Sequence, residues 1–454
     1  MGEIVAPLPR RFLRRSPDGL PVAGFAALIV AGAAVLALPI SQRGGVSLLD
    51  ALFTATSAVC VTGLTVVDTG HDFTIFGQLV ILLLIQFGGI GVMSLAAMAM
   101  RIARRRLSLA AQAALSSSML QRDVAGELAS IVWRILGFVL TAEALGAVIL
   151  FVAMVPTRSV AHAAYSAVFH SISAFCNAGF SIYSENLTVW RESRLVMVTV
   201  MSLIFIGGIG HHVAMDVGRA LARLITRKGS GARRPELGSV VALFTSAALI
   251  VGGALLLLLF GLTPEEPEWE TRVWNALFQS VTARTAGFNT VRIGLLPPGS
   301  LLVLSLLMFV GGSPGSCAGG IKTTTFALWV AKLWSFLRGA KGTRILGRYI
   351  PSETTRRASL LVGLSVLWNT VGLLFLLATQ GRGIEMHDVL VEQLSAFGTV
   401  GLSTGLTPGL TAAGKLWIMA TMFVGRLGPL TLALWALGTR GREIRYPEGR
   451  IMVG

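Results

Sequence analysis

Long hydrophobic runs alternate with short ones along this chain, and each short run ends at a glycine. Runs of about twenty apolar residues are long enough to cross a hydrocarbon core of about 30 Å at 1.5 Å per residue. They predict helices over 20–40, 72–100, 130–155, 194–225, 238–261, 300–336, 358–380 and 414–438. Within each successive pair lies a segment of about a dozen residues, at 49–62, 162–178, 271–286 and 387–400, which is too short to cross. Such a segment must enter the membrane and turn back. Its turn falls at Gly63, Gly179, Gly287 and Gly401.

The four turns are copies of one another. TATSAVCVTGLT (Thr54 to Thr65), SISAFCNAGF, SVTARTAGF and LSAFGTVGL align on their glycines at intervals of 116, 108 and 114 residues. Six residues before the glycine stand Ser57, Ser173, Val281 and Ser395, and one after it stand Leu64, Phe180, Phe288 and Leu402. One register held at a fixed period marks an internal repeat, with blocks 1–110, 111–236, 237–350 and 351–454. The expected fold is an all-α integral membrane protein. Eight spanning helices and four re-entrant ones form four helix–pore-loop–helix units in pseudo-fourfold order around one pore.

Composition supports the membrane and excludes other classes. Hydrophobic residues make up 54% and charged residues 13%, against about a quarter charged in a soluble domain. The formal charge of +16 would suggest nucleic acid in a soluble protein, but 26 of the 38 Lys and Arg fall in five patches, at 1–20, 101–122, 219–234, 332–357 and 440–450. These patches follow every second apolar run, whereas loops such as TPEEPEW carry acids, so both termini are expected to be cytoplasmic. Cys60, Cys176 and Cys317 lie in apolar or glycine-rich stretches with no zinc or disulfide spacing. No nucleophile–base set, phosphate loop or dinucleotide fingerprint is visible, so neither enzymatic chemistry nor a bound cofactor is expected.

The turns carry the candidate chemistry. Backbone oxygens without helical partners at membrane depth must be buried by protein or met by water or ions. Four such turns, Val61-Thr62-Gly63, Asn177-Ala178-Gly179, Thr285-Ala286-Gly287 and Thr399-Val400-Gly401, can replace the hydration shell of an alkali cation, with the negative ends of four short helices aimed at the same axis. Glycine supplies the unusual backbone angles. The competing explanation, small residues for close helix packing, does not require short helices in one register.

Gly311, Gly312, Ser313, Pro314, Gly315, Gly319 and Gly320 interrupt the third block's second long helix; they form either a kink or an unwound stretch beside a water-filled path. Arg426, in MFVGRLGPL, must face the interior and find partners. Lys322 follows the break and either stays with it or snorkels outward. Arg284 is expected to clamp neighbouring short-helix ends rather than meet ions. His211 and His212 lack further ligands nearby, and Asp68, Glu185 and Asp388 are either cation-concentrating or plain loop acids.

The VTGL, NAGF, TAGF and TVGL tetrads, with FVGGSPGSCAGGIKTTTF in the third block, resemble the membrane subunits of the Trk/Ktr/HKT cation-transporter superfamily along nearly the whole chain. With about twenty residues before the first helix, the chain is more similar to the KtrB branch than to the longer TrkH-like subunits. The resemblance implies K+ uptake through the filter residues named above, with Na+ as activator or co-ion, in a bacterial cytoplasmic membrane. It also implies a gating loop at Gly311 to Gly320 with Arg426 as an electrostatic barrier beneath the filter, a homodimer, and a cytoplasmic nucleotide-binding RCK ring. Glycine in all four blocks implies K+ selectivity, while Val61 and Asn177, where a K+ channel has Thr, make the ring asymmetric. The alternatives are a sodium-conducting or weakly selective relative, and an inverted-repeat secondary transporter for an organic solute. The second would need repeats of alternating orientation, whereas here every block begins and ends on the same side.

Overall fold

The computed structural model describes residues 19–91, 128–226, 235–262, 268–381 and 383–429. Each block contributes a long outer helix, a short buried helix and an inner helix. The first comprises α1 (Gly19–Leu36), α2 (Leu48–Val59) and α3 (Ile75–Ile90). The second comprises α4 (Leu128–Met154), α5 (Val160–Phe175) and α6 (Arg194–Thr226), and the third α7 (Leu237–Phe260), α8 (Trp269–Thr282), α9 (Pro298–Phe309) and α10 (Thr323–Leu337). The fourth comprises α11 (Ser352–Thr379), α12 (Met386–Gly398) and α13 (Ala412–Leu427). One element departs from an all-helical expectation. Between α10 and α11 a two-stranded hairpin, β1 (Arg344–Ile345) and β2 (Arg348–Tyr349), turns at Leu346 and Gly347, both with positive φ.

Packing closes the blocks into a cycle. Each outer helix packs on the short helix that follows it, and each inner helix packs on the short helix of the next block: α3 on α5, α6 on α8, α9 on α12, and α13 back on α2. An ion pair between Lys415 Nζ and Asp50 Oδ1 at 2.7 Å joins the last block to the first. The short helices form the core. In α12 all but one of the residues from Val389 to Gly398 are buried, and in α2 all but one of those from Ala51 to Val59.

The short helices stop earlier than the sequence predicts: α5, expected over 162–178, spans Val160–Phe175. The cause is a non-glycine residue in the left-handed region two places before each glycine: Val61 (φ 56), Asn177 (φ 60), Thr285 (φ 76) and Thr399 (φ 51). A left-handed residue ends an α-helix by redirecting its last carbonyls.

The inner helices also break where continuous helices were expected. Only the third block's interruption was anticipated; the structure breaks all four, three of them at equivalent glycines. α3 ends before Gly91 (φ 86), α6 kinks at Gly210 (φ 77), α13 ends before Gly428 (φ 87), and Gly315 (φ 76) lies in the unwound third block. Four helices among the described residues, within α4, α6, α7 and α11, are long and apolar enough to cross a membrane, against the eight expected. α3, α9 and α13 fall short of that length because of these breaks. The remainders of the predicted 72–100 and 414–438 lie outside the described residues.

Each break has a close contact beside it. A Cβ on Gly88 would collide with Val59 O, one on Gly207 with Phe175 O and one on Gly425 with Phe397 O. These oxygens belong to residues four before Gly63, Gly179 and Gly401, so a bare Cα in the inner helix seats the end of a short helix three times over. Gly207→Ala should therefore lower stability by about 1–3 kcal/mol through overpacking. Gly137→Ala, in α4 with open space around its Cα, should leave it unchanged. The thermal unfolding midpoint of the detergent-purified protein checks both.

Candidate functional site

The four glycine turns meet at the centre of the bundle in cyclic order. A Cβ on Gly63 would press on Ala178 O, one on Gly179 on Ala286 O, one on Gly287 on Val400 O, and one on Gly401 on Thr62 O. The carbonyl oxygen one residue before each glycine thus abuts the glycine of the preceding block, in one rotational sense, until the fourth turn meets the first. Any side chain at these positions would drive a carbonyl away. Positive φ at Gly63 (90), Gly179 (68), Gly287 (76) and Gly401 (97) is the second reason for glycine.

Local hydrogen bonds hold three turns alike. Thr62 N donates to Ser57 O, Ala178 N to Ser173 O and Val400 N to Ser395 O, at 2.7–2.8 Å. Gly63 N and Gly401 N donate to the hydroxyls of Ser57 and Ser395, at 3.1 and 3.0 Å. Val281 occupies that place in the third block and has no hydroxyl; there Ala286 N turns instead to Thr282 O at 2.9 Å. Val61 and Asn177 replace threonine in two blocks, yet all four turns keep one backbone conformation. The Asn177 amide oxygen accepts from Thr285 Oγ1 at 3.2 Å, tying the second turn to the third. Thr62 Oγ1 and Thr399 Oγ1 are buried with no hydrogen-bond partner among the described residues.

Directly against these turns runs the segment from Val310 to Lys322, between α9 and α10. Gly319 packs on the Thr399 side chain, and a Cβ on Gly311 would lie 3.4 Å from Thr285 Cγ2. The segment is an ordered loop rather than a kink. Gly311 N donates to Ile321 O (2.8 Å) and Thr323 N to Gly312 O (3.1 Å). Its other bonds reach glycine carbonyls of all three remaining inner helices. Ser313 N donates to Gly208 O (2.9 Å), Gly320 N to Gly425 O (3.3 Å), and Cys317 Sγ to Gly89 O (3.4 Å).

Two guanidinium groups hold the loop. Arg426 Nη1 donates to Cys317 O and Nη2 to Gly88 O, bridging the loop to the first block. Arg284, only 7% exposed, donates from Nη1 to Ser246 O and from Nη2 to Gly311 O, both at 3.0 Å. It was expected to clamp short-helix ends; instead it ties α7 to the start of the loop, because its side chain leaves the end of α8 away from the neighbouring turns. Lys322 stays with the loop, donating to Ala318 O. A cavity of about 230 Å³ opens beside the loop, lined by Gly89, Phe175, His211, Lys322 and Arg426 among others.

The loop acids have structural partners. Asp68 Oδ1 caps the turn at Gly70 and His71, and Glu185 pairs with Arg292 at 2.9 Å, whereas Asp388 lies in the first turn of α12. The sequence reading missed Glu143, a 5%-exposed carboxyl within α4 that accepts from Gln86 Nε2 at 3.1 Å. An acid inside a long apolar run was the available signal.

A cyclic helical bundle with long apolar helices and irregular backbone buried at its centre defines a polytopic membrane transport protein. The sequence pattern of the TrkH family, described as cation transport proteins, matches residues 25–439, and the chain belongs to that family. It is 36% identical over 451 residues to the Ktr system potassium uptake protein B of Bacillus subtilis, covering 98% of both chains. It is 35% identical to the potassium/sodium uptake protein NtpJ of Enterococcus hirae, covering 97% of this chain and 98% of that one. The crystal structure of the potassium transporter TrkH from Vibrio parahaemolyticus superposes with a TM-score of 0.72 at 19% identity, over 94% of this chain and 86% of that one. The two share the fold.

Replacing Arg284 with Met leaves Gly311 O without its buried donor, and an unmade buried hydrogen bond costs about 1–3 kcal/mol. Arg284→Met should lower the unfolding midpoint accordingly, and Arg284→Lys, with fewer donors in a different geometry, should restore only part of the loss.

Proposed function

We propose that the chain takes up K+ across a bacterial cytoplasmic membrane through a filter made by Val61, Thr62 and Gly63, Asn177, Ala178 and Gly179, Thr285, Ala286 and Gly287, and Thr399, Val400 and Gly401. The observation that carries the proposal is the cyclic contact of each glycine with the preceding carbonyl of the next turn. Four oxygens in one tier, with no room for side chains, suit a partly dehydrated monovalent cation. Two threonine hydroxyls in these turns, Thr62 Oγ1 and Thr399 Oγ1, buried and without a partner among the described residues, favour the same use. The names of the Bacillus and Enterococcus relatives point to K+, and to Na+ beside it. The membrane potential supplies about 2.3 kcal/mol per charge per 100 mV, so uptake needs no ATP chemistry in this chain.

The loop from Gly311 to Gly320 is the gate in this proposal. It lies against Thr285 and Thr399 and is held by carbonyls of every other inner helix, so a shift of any of them is felt there. Arg426 is the barrier, placing a positive charge beside the path. A cytoplasmic nucleotide-binding RCK ring, contacting the basic loops, would bias the loop between two states, and the subunit works as a homodimer with both termini inside. Na+ serves as activator or co-ion.

Expression in a bacterial strain lacking its own K+ import tests the filter. The wild type should restore growth at low K+ and take up Rb+ faster than Na+, whereas Gly63→Asp should abolish both. Equal Rb+ and Na+ uptake would favour the weakly selective relative, and no uptake of either would refute the proposal. Arg426→Ala should raise Rb+ uptake several-fold at equal protein level, and an unchanged or slower rate would remove Arg426 from the gate.

A further inference from the structure

Nine residues before the filter glycines stand Thr54, His170, Phe278 and Glu392. Two of these positions are ionisable, and both are 0% exposed. They belong to the second and fourth blocks, which the order of glycine contacts places diagonally across the ring. Each reaches the same target, the serine two residues after its own glycine. His170 Nδ1 faces Ser166 O at 2.8 Å, which can only accept, so Nδ1 carries the proton and Nε2 accepts from Ser181 Oγ at 2.9 Å. Glu392 Oε1 accepts from Ser403 Oγ, and Oε2 accepts from Thr407 Oγ1 at 2.6 Å.

The match continues one step further. Ser181 Oγ accepts from Tyr183 N at 3.0 Å and Ser403 Oγ from Gly405 N at 2.9 Å. In both blocks a chain of bonds therefore runs from the short helix, through the serine hydroxyl, to the backbone four residues past the glycine. The His170 ring also stacks on Tyr183, with centroids 5.1 Å apart and planes 15° apart. The other two blocks have no ionisable group at this register. Thr54 Oγ1 turns back to Asp50 O at 2.8 Å, and Phe278 has no polar atom. Burying a histidine and a glutamate costs free energy unless their partners are in place, so two such groups at one register, each fully engaged, call for an explanation beyond filling space.

We propose that His170 and Glu392 are positioning residues for cation selectivity. Through Ser181 and Ser403 they fix the strands leaving Gly179 and Gly401, and so set the width of the carbonyl ring along one diagonal. This rests on the filter proposed above. The diagonal they hold is anchored by buried ionisable groups; the one through the first and third turns relies on neutral ones, Ser57 Oγ with Gly63 N at 3.1 Å and Thr290 Oγ1 with Asn275 Oδ1 at 2.8 Å. Selectivity between K+ and Na+ depends on keeping four oxygens at the larger ion's distance, and a diagonal free to contract loses it.

The test is the ratio of Rb+ to Na+ uptake by the full chain in the import-deficient strain, at matched membrane abundance. Glu392→Leu and His170→Phe, which keep bulk but not the bonds, should lower the ratio about fivefold, the scale of one hydrogen bond. Ser403→Ala and Ser181→Ala should do the same, and combining each with its partner's variant should add nothing. Glu392→Gln and His170→Gln, which keep an acceptor, should restore most of the ratio, and Thr54→Val, at the same register in the first block, should leave it unchanged. If the Leu and Phe variants fail to accumulate, the two serine variants decide. A wild-type ratio in the serine variants, or Gln variants as poor as Leu and Phe, overturns the proposal. Gly401→Ala separates the two layers: if it leaves uptake and ratio intact the filter assignment itself fails, whereas if it alone changes them only the positioning role falls.

Discussion

Everything in this structure follows from carbonyl oxygens left bare at membrane depth. A helix that stops partway across leaves its last carbonyls without donors, and hydrocarbon offers none. The chain answers by bringing four such ends together, so that each turn's carbonyl lies against the glycine of its neighbour. Closure from the fourth block to the first, by α13 on α2 and by Lys415 with Asp50, completes the ring. The absence of a Cβ at the four glycines is what permits the approach. A second tier of bare glycines, Gly88, Gly207 and Gly425, seats the ends of three short helices from behind.

Two departures from fourfold repetition concern the loop. Three residues before the repeated glycine stand Cys60, Cys176, Arg284 and Gly398, and in the inner helices Gly89, Gly208 and Gly312 match Arg426. At each register one block carries an arginine where the others have something small. Both arginines reach the loop's backbone, Arg284 at Gly311 O and Arg426 at Cys317 O. A guanidinium is suited to this because it donates several bonds in a fixed plane and keeps its charge when buried. The third block, whose own inner helix is unwound, thus borrows order from the rest. A loop held by many separate bonds to four elements has the construction expected of a two-state element.

Much of the arrangement was legible in the sequence. The shared register predicted four short helices ending at Gly63, Gly179, Gly287 and Gly401, and the glycine and proline run predicted the break after α9. Other features had a signal that was passed over. The runs FGGIG, IGGIG and VGRLG at 87–91, 206–210 and 424–428 repeat the opening of the third-block break, and each ends at a glycine of positive φ. The left-handed residues Val61, Thr285 and Thr399 had no signal, since nothing in valine or threonine favours that conformation; of the four, only Asn177 is of a type that does. Such strain is held only by surroundings the sequence does not display.

By itself the sequence determined the repeated register, the membrane-embedded class and the presence of a short helix before each repeated glycine, because these depend on hydropathy, length and register along one dimension. Only the tertiary structure decided which carbonyl meets which glycine, that Arg284 holds α7 and the loop rather than a neighbouring turn, and that His170 and Glu392 belong to diagonally opposed blocks. Those pairings join residues tens to hundreds of positions apart. They are set by the cyclic packing of four blocks, a property of distances in space that no local pattern encodes.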